Sequence, residues 1–158
     1  MARSKTYKDG KDKRDSGRFF ALPNGVLNGT AYISLSSHAR MLLLDLFAQY
    51  NGNNNGDLCA AFSIMKLSGW RSTHTLQSAK KELIQADLIC ETRKGARPNL
   101  ASLYAVTWYA LDDCDGKLDI SPQGFNRGAY KLKDRAPILL KIKELNAATA
   151  SMGENLMH

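Results

Sequence analysis

The sequence predicts an α+β fold, mainly helical, in which a run of helices is followed by a small antiparallel β-ribbon. Three observations predict it. Apolar residues recur at steps of three and four along 39–50 and again along 76–86, the spacing that gathers them on one face of a helix. The period then changes at Ile89, where two strand-like runs flank a turn rich in Gly, Pro and Asn. The composition, 44% hydrophobic and 23% charged over 158 residues, is that of one folded domain with tails.

Residues 1–18 read as a basic, disordered arm. Seven basic groups stand against three acidic ones, and only Tyr7 could help fill a core, so the segment buries too little apolar surface to offset its ordering entropy. Order is expected from Phe19-Phe20-Ala21-Leu22-Pro23, and residues 19–109 form the domain. Ala31-Tyr32-Ile33-Ser34-Leu35 leads into the first helix, with Ser36 or Ser37 as its N-cap. Ala39, Leu42, Leu43, Leu46, Phe47 and Tyr50 supply the buried face over about four turns. Asn51-Gly52-Asn53-Asn54-Asn55-Gly56 stops the helix and is expected to be a plain connector.

Asp57-Leu58-Cys59-Ala60 is a short strand candidate. A brief helix from Ala61 to Ser68 follows, with Phe62, Met65 and Leu67 facing inward, and Gly69-Trp70-Arg71 breaks it. Ser72 opens the next helix, which carries Leu76, Ala79, Leu83 and Ala86 on one stripe. The ribbon runs over Ile89–Arg93 and Ser102–Trp108, joined by Lys94-Gly95-Ala96-Arg97-Pro98-Asn99. Residues 110–158 read as a linker, with Ser121-Pro122-Gln123-Gly124 at its centre, and a C-terminal helical tail after Pro137. Ile138, Leu139, Ile142 and Leu145 share a face of that tail.

Charge narrows the partners. Lys and Arg total 22 against 15 acidic residues, a net +7 concentrated in the arm and the central domain. Such a balance points to a polyanionic partner such as nucleic acid or an anionic surface. No apolar stretch approaches the length of a membrane span, and Met1-Ala2-Arg3-Ser4-Lys5 leads into further charge, so neither a membrane segment nor a secretory signal is expected. Cys59, Cys90 and Cys114 are odd in number and unclustered, so no disulfide or zinc site is expected, and the cytoplasm is the default compartment. Cys59 and Cys90 read as buried small hydrophobes.

Catalysis finds no support. His38, His74 and His158 are scattered, Gly116-Lys117 lacks the setting of a phosphate loop, and Asp112, Asp113, Asp115 and Asp119 read as a polar turn. A non-enzyme without cofactor or metal is expected.

The stretch Ala61–Ile89 resembles a helix-turn-helix, and with the ribbon it resembles the winged helix-turn-helix family. Gly69 fills the place of the glycine turn, Ser72 the small hydroxylic opening of the second helix, Thr75-Leu76 the Thr-aliphatic pair, and Leu83 the Leu seven residues on. Asp87-Leu88-Ile89 stands for the usual Gly-Leu-Ile entry to the wing. Two departures follow: Asp87 in place of glycine needs a left-handed Asp or a looser cap, and Trp70 adds bulk and one residue to the turn. The chain over 17–120 is also similar to small winged-helix proteins of proteobacterial prophages and mobile elements. That similarity rests on Gly17-Arg18-Phe19, Leu22-Pro23, Tyr50-Asn51-Gly52, Asn54-Asn55-Gly56-Asp57, Gly69-Trp70-Arg71-Ser72, Leu103-Tyr104-Ala105 with Thr107-Trp108, and Cys114 with Gly116-Lys117-Leu118-Asp119. The resemblance implies three helices plus a wing and a DNA-binding role.

The residues support that role independently. A helix over 73–86 is about 21 Å long and fits a major groove about 12 Å wide. Opposite Leu76, Ala79 and Leu83 it shows Thr73, His74, Gln77, Ser78 and Lys81, all hydrogen-bonding and none acidic. Gln77 can pair bidentately with adenine, and His74 and Ser78 can reach base edges. Glu82, to one side, can meet a cytosine amino group or orient Lys81. Arg71, Ser72 and Thr73 sit where a helix N-terminus meets phosphate. Arg93, Lys94 and Arg97 give the wing a charge suited to phosphates or the minor groove; the plainer reading is a hairpin tip charged against edge aggregation.

The leading expectation is a sequence-specific double-stranded DNA-binding protein, a transcription regulator of a phage or mobile element, nucleoid-associated when bound. Two alternatives stand beside it: a replication or partition accessory protein that binds an origin, and a protein-interaction module on a winged-helix scaffold. A homodimer through 138–145 or the helix 36–50 is one expected state, and the C-terminal tail is a second place for a protein partner.

Overall fold

Two single-turn helices, α1 (Asn24–Leu27) and α2 (Thr30–Ile33), precede the first long one, α3 (Ser37–Phe47), in a computed structural model that describes residues 17–133. The expectations for most of the basic arm and for the helix after Pro137, with its 138–145 stripe, lie outside the described residues. Ser36 is the N-cap of α3, its hydroxyl accepting from the Ala39 amide. Ala39, Leu42, Leu43, Leu46 and Phe47 are buried along it. The helix is a turn shorter than its apolar spacing predicts. Beyond Phe47 the backbone continues in single turns, which frees Gln49 to reach a strand and lets the Tyr50 ring stack on Phe47 at 5.5 Å.

The chain then forms β1 (Leu58–Cys59), α4 (Phe62–Met65), a 3-10 turn over Lys66–Ser68, α5 (Thr73–Gln85), β2 (Ile89–Arg93) and β3 (Leu103–Val106). The architecture is α+β, with a three-stranded antiparallel sheet in the order β1-β3-β2. Leu58, Tyr104 and Glu91 stand in one row, and Ile89 pairs with Val106. Residues directly opposite share a face, so this set faces the helices. α5 packs against α3, and Leu76, Ala79 and Leu83 join Leu42, Leu43, Leu46, Leu58, Tyr104 and Val106 in the main core. β3 ends at Val106, before the predicted Thr107-Trp108, although Thr107 still donates its amide to the Leu88 carbonyl at 3.1 Å and its hydroxyl to the Asp87 carbonyl at 2.7 Å.

Three of the turns that use positive φ shape the core of the domain. Gly69 (φ 93°) closes the 3-10 turn, with the Trp70 amide bonded back to the Met65 carbonyl. Asp87 (φ 54°) does the same for α5, the Leu88 amide reaching the Leu83 carbonyl and the Asp87 amide that of Ile84. The departure from glycine at this position is thus met by a left-handed Asp. Gly56 (φ 137°) passes beneath Leu111, Cys114 and Leu118, where a Cβ would stand 2.8 Å from Leu118.

Four expectations need correcting. Leu67 is 89% exposed, not inward-facing; the 3-10 turn rotates about 120° per residue where the α-helix rotates about 100°, so its side chain swings out of phase with Met65. The Asn run is more than a connector. Asn55 is fully buried, and its side chain accepts from the Val106 amide at 2.8 Å and donates to the carbonyls of Val106 (3.0 Å) and Ala110 (2.8 Å). Residues 110–133 pack on the domain in place of a linker: Leu111 and Phe125 bury Ala105, with Cys90, Leu118 and Ile120 beside them, and Tyr130 enters the main core. Cys90 and Ala105 form a register pair on the sheet face away from the helices, so this segment roofs the side that a bare ribbon leaves wet. Cys59 and Cys90 are half-buried.

Candidate nucleic-acid interface

α5 owes its placement to contacts at both ends. At the start, Ser72 caps the helix, its hydroxyl accepting from the Thr75 amide at 3.2 Å. The amides of Thr73 and His74 in the first turn have no intrahelical acceptor and carry the positive end of the helix dipole. Ahead of it, Trp70 is buried and donates through Nε1 to the Asp45 carboxylate at 2.7 Å, with His38 leaning on its ring at 6.2 Å. The bulk that makes this turn unusual in sequence therefore bolts the start of α5 to α3.

Further along, Glu82 receives the Ser36 amide at 2.5 Å and the Ser36 hydroxyl at 2.7 Å. A carboxylate that sequence places beside a base instead caps α3 from the neighbouring helix. Glu82 belongs to the helix–helix contact and not to the presented surface.

The presented surface is the rest of that helix. Thr73, His74, Gln77, Ser78 and Lys81 are all exposed, while Leu76, Ala79 and Leu83 are buried behind them. The thirteen residues of α5 give a rod about 20 Å long. Arg71 is exposed next to it, and Arg71 and Ser72 line a cleft of about 200 Å3 with His38, Met41, Trp70 and Thr75.

A larger groove of about 510 Å3 joins α5 to the root of the hairpin, lined by Gln77, Lys80, Lys81, Glu91, Ser102 and Tyr104. Lys80 is half-buried there, its ammonium 5.7 Å above the Tyr104 ring. Burial lowers its pKa, opposed by the Glu91 carboxylate. The same burial, reinforced by Glu91, pushes the Tyr104 phenol up to about 12. Glu91 is exposed and is the acidic group on this groove wall.

The hairpin between β2 and β3 is held from several directions. A bulge between Glu91 and Arg93 turns Thr92 inward to donate to the Gly56 carbonyl at 2.5 Å. Arg93 donates to the Ala101 carbonyl at 3.0 Å, so part of its guanidinium ties the hairpin to itself. The Lys94 amide donates to the Asp119 carboxylate and the Gly95 amide to the Ser102 hydroxyl, at 2.8 and 2.9 Å. Ala96 and Leu100 exchange both backbone hydrogen bonds at 2.9 Å. Lys94 and Arg97 remain exposed.

Among the sequence-predicted residues, the structure gathers Arg71, Ser72, Thr73, His74, Gln77, Ser78 and Lys81 on one helix and its entry turn. It sets Lys94 and Arg97 on the hairpin and holds Arg93 at the hairpin's base. Lys80, which in sequence reads with Lys81 as ordinary surface charge, is half-buried, and only the fold shows which of the two lies over an aromatic ring. Tyr50 and Tyr109, whose rings meet at a tilt with centroids 4.9 Å apart, receive the end of the arm: Arg18 donates to the Tyr50 carbonyl at 3.0 Å, and the Tyr109 hydroxyl to the Ala21 carbonyl at 3.1 Å. Among the described residues no group of His, Cys, Asp and Glu side chains is placed to hold a metal, and no helix is long and apolar enough to cross a membrane.

No protein-family model, curated protein or solved structure matches this chain.

Proposed function

We propose that this protein binds double-stranded DNA sequence-specifically, as a winged helix-turn-helix in which α4, the Gly69-Trp70-Arg71 turn and α5 form the reading unit and the β2–β3 hairpin the wing. One observation carries the reading: α5 presents Thr73, His74, Gln77, Ser78 and Lys81 to solvent with no carboxylate among them, on a helix fixed at both ends. In this reading Gln77 pairs with a base edge, His74 and Ser78 add hydrogen bonds, and Lys81 offsets phosphate charge. Arg71, the Ser72 O–H and the free amides of the first turn hold the backbone at the helix start. Lys94 and Arg97 meet the flanking strand.

The role within a cell follows the same proposal: regulation of transcription in a phage or mobile element, with the protein in the cytoplasm and on the nucleoid. Genome-wide mapping of bound DNA separates it from origin binding, because promoters would be occupied and not repeats beside an origin.

The direct test compares two variants on a preferred and a random duplex. Gln77→Ala should cost about 1–3 kcal/mol on the preferred site and relax its base preference. Arg97→Ala should weaken both duplexes alike and flatten the salt dependence by about one unit of slope. Equal losses on both duplexes for Gln77→Ala would refute the assignment of α5 as the reading helix. A wild-type chain with no salt-sensitive retention of any duplex would refute DNA binding.

A further inference from the structure

The hairpin tip carries apolar side chains among its charges. Lys and Pro commonly blunt such edges, and Lys94 and Pro98 fit that use, but Leu100 does not: it is 46% exposed, with Ala96 exposed opposite it. Ala96 and Leu100 face each other as a hydrogen-bonded pair, which puts their side chains on one side of the ribbon. Lys94 and Arg97 stand exposed around them, and residues 92–110 contain no carboxylate.

The two sides of the tip are also held. The Ala96–Leu100 pair, the Gly95–Ser102 and Arg93–Ala101 bonds, and the Asp119 carboxylate under the Lys94 amide fix the backbone that carries Leu100 from both strands and from behind. Gly95 is pressed so closely on this frame that a Cβ would lie 2.8 Å from the Leu100 carbonyl oxygen and the Ser102 nitrogen. An apolar point flanked by two cations, with the one carboxylate at its back occupied by the Lys94 amide, is suited to entering a negatively charged cleft and pressing on the stacked surfaces within it.

We propose that the hairpin tip bends the DNA it binds, with Leu100, flanked by Pro98, wedged at a base step from the minor groove and Arg97 and Lys94 on the phosphates at either side. The inference rests on the DNA-binding reading above. Two strands about 4.8 Å apart, with their side chains, do not fit a minor groove about 6 Å wide. Entry therefore widens the groove. An apolar side chain pushed between base pairs unstacks them and kinks the duplex by about 20–90° toward the major groove. The cost is lowest at pyrimidine–purine steps, so such a step is expected under the tip. Discrimination would then arise at a position that α5 does not touch.

The test uses the full chain and a duplex of about 25 base pairs, recovered by this protein from a random-sequence pool and carrying a fluorescent donor and acceptor at its ends. Saturating wild-type protein should shorten the end-to-end distance and raise energy transfer. Leu100→Ser should return transfer to that of free DNA while weakening binding by no more than about tenfold, the equivalent of one lost apolar contact. Arg97→Ala should weaken binding but retain the bend at saturation. Wild-type binding without a change in transfer, or an undiminished bend with Leu100→Ser, overturns the wedge and leaves DNA binding standing. Failure to retain any duplex overturns both.

Discussion

Replacing Asn55 with alanine tests the structure where its logic is least visible in the sequence. The side chain makes three hydrogen bonds to backbone, two of them with Val106, and both residues are fully buried. Truncation strands the Val106 amide and carbonyl without access to water, at about 1–3 kcal/mol for each group. The Ala110 carbonyl belongs to an exposed residue and recovers a water partner. The sum is about 2–6 kcal/mol, a large part of the ~5–15 kcal/mol that holds an ordinary domain together. At roughly 4 °C per kcal/mol for a domain of this size, melting should fall on the order of 10 °C. Asn53, two positions earlier, is the internal control. It is exposed, and Asn53→Ala should change stability by no more than about 0.5 kcal/mol. Urea denaturation of the two variants beside wild type measures both. A matching midpoint for Asn55→Ala and Asn53→Ala would refute the claim that one amide joins the loop to the sheet.

Glu82→Ala should cost about 1 kcal/mol in the same denaturation, the usual worth of a lost helix cap, and leave the base preference of any selected DNA site unchanged; an altered preference would restore Glu82 to the presented surface. Tyr104 gives a pH signature. Its phenol is raised by burial to about 12, so the stability linked to its neutral form is whole below the unfolded value of about 10 and drains away as pH climbs through the folded one. Phenolate absorbance should show a late-ionising tyrosine that Tyr104→Phe removes, and a titration unchanged by that substitution would contradict the burial.

The helices and the two long strands are legible because their burial is periodic. Leu76, Ala79 and Leu83 fall on one stripe whatever surrounds them, and Ser36 and Ser72 sit where a cap must. Asp87 is legible for a different reason: the helix must end before Leu88 enters the core, and Asp tolerates the left-handed turn. What the sequence hides is whatever depends on a partner far along the chain. Glu82 and Ser36 are 46 positions apart, and no local rule joins a helix-face carboxylate to another helix's first amide. Gln49 behaves in the same way, its amide group accepting from the Cys59 N–H and donating to the Cys59 carbonyl at 2.9 Å each, as a substitute strand beside β1. The single-turn α1 and α2 are too short to show a period. Leu111, Leu118, Ile120 and Phe125 are too irregularly spaced to announce that they pack together. On the candidate interface, exposure of the α5 side chains follows from the apolar stripe behind them, whereas the stiffness of the hairpin follows from Asp119, Ser102 and Ala101 and could not.

The roof over Ala105 and Cys90 decides where the chain can be cut. A fragment ending at Ala110 keeps every long helix and strand, but it strips the oily underside of the sheet and removes the carboxylate strut beneath Lys94. Bare apolar sheet surface favours clumping over survival as a lone molecule. A fragment expected to stand alone runs on at least to Tyr130, whose side chain is buried in the main core.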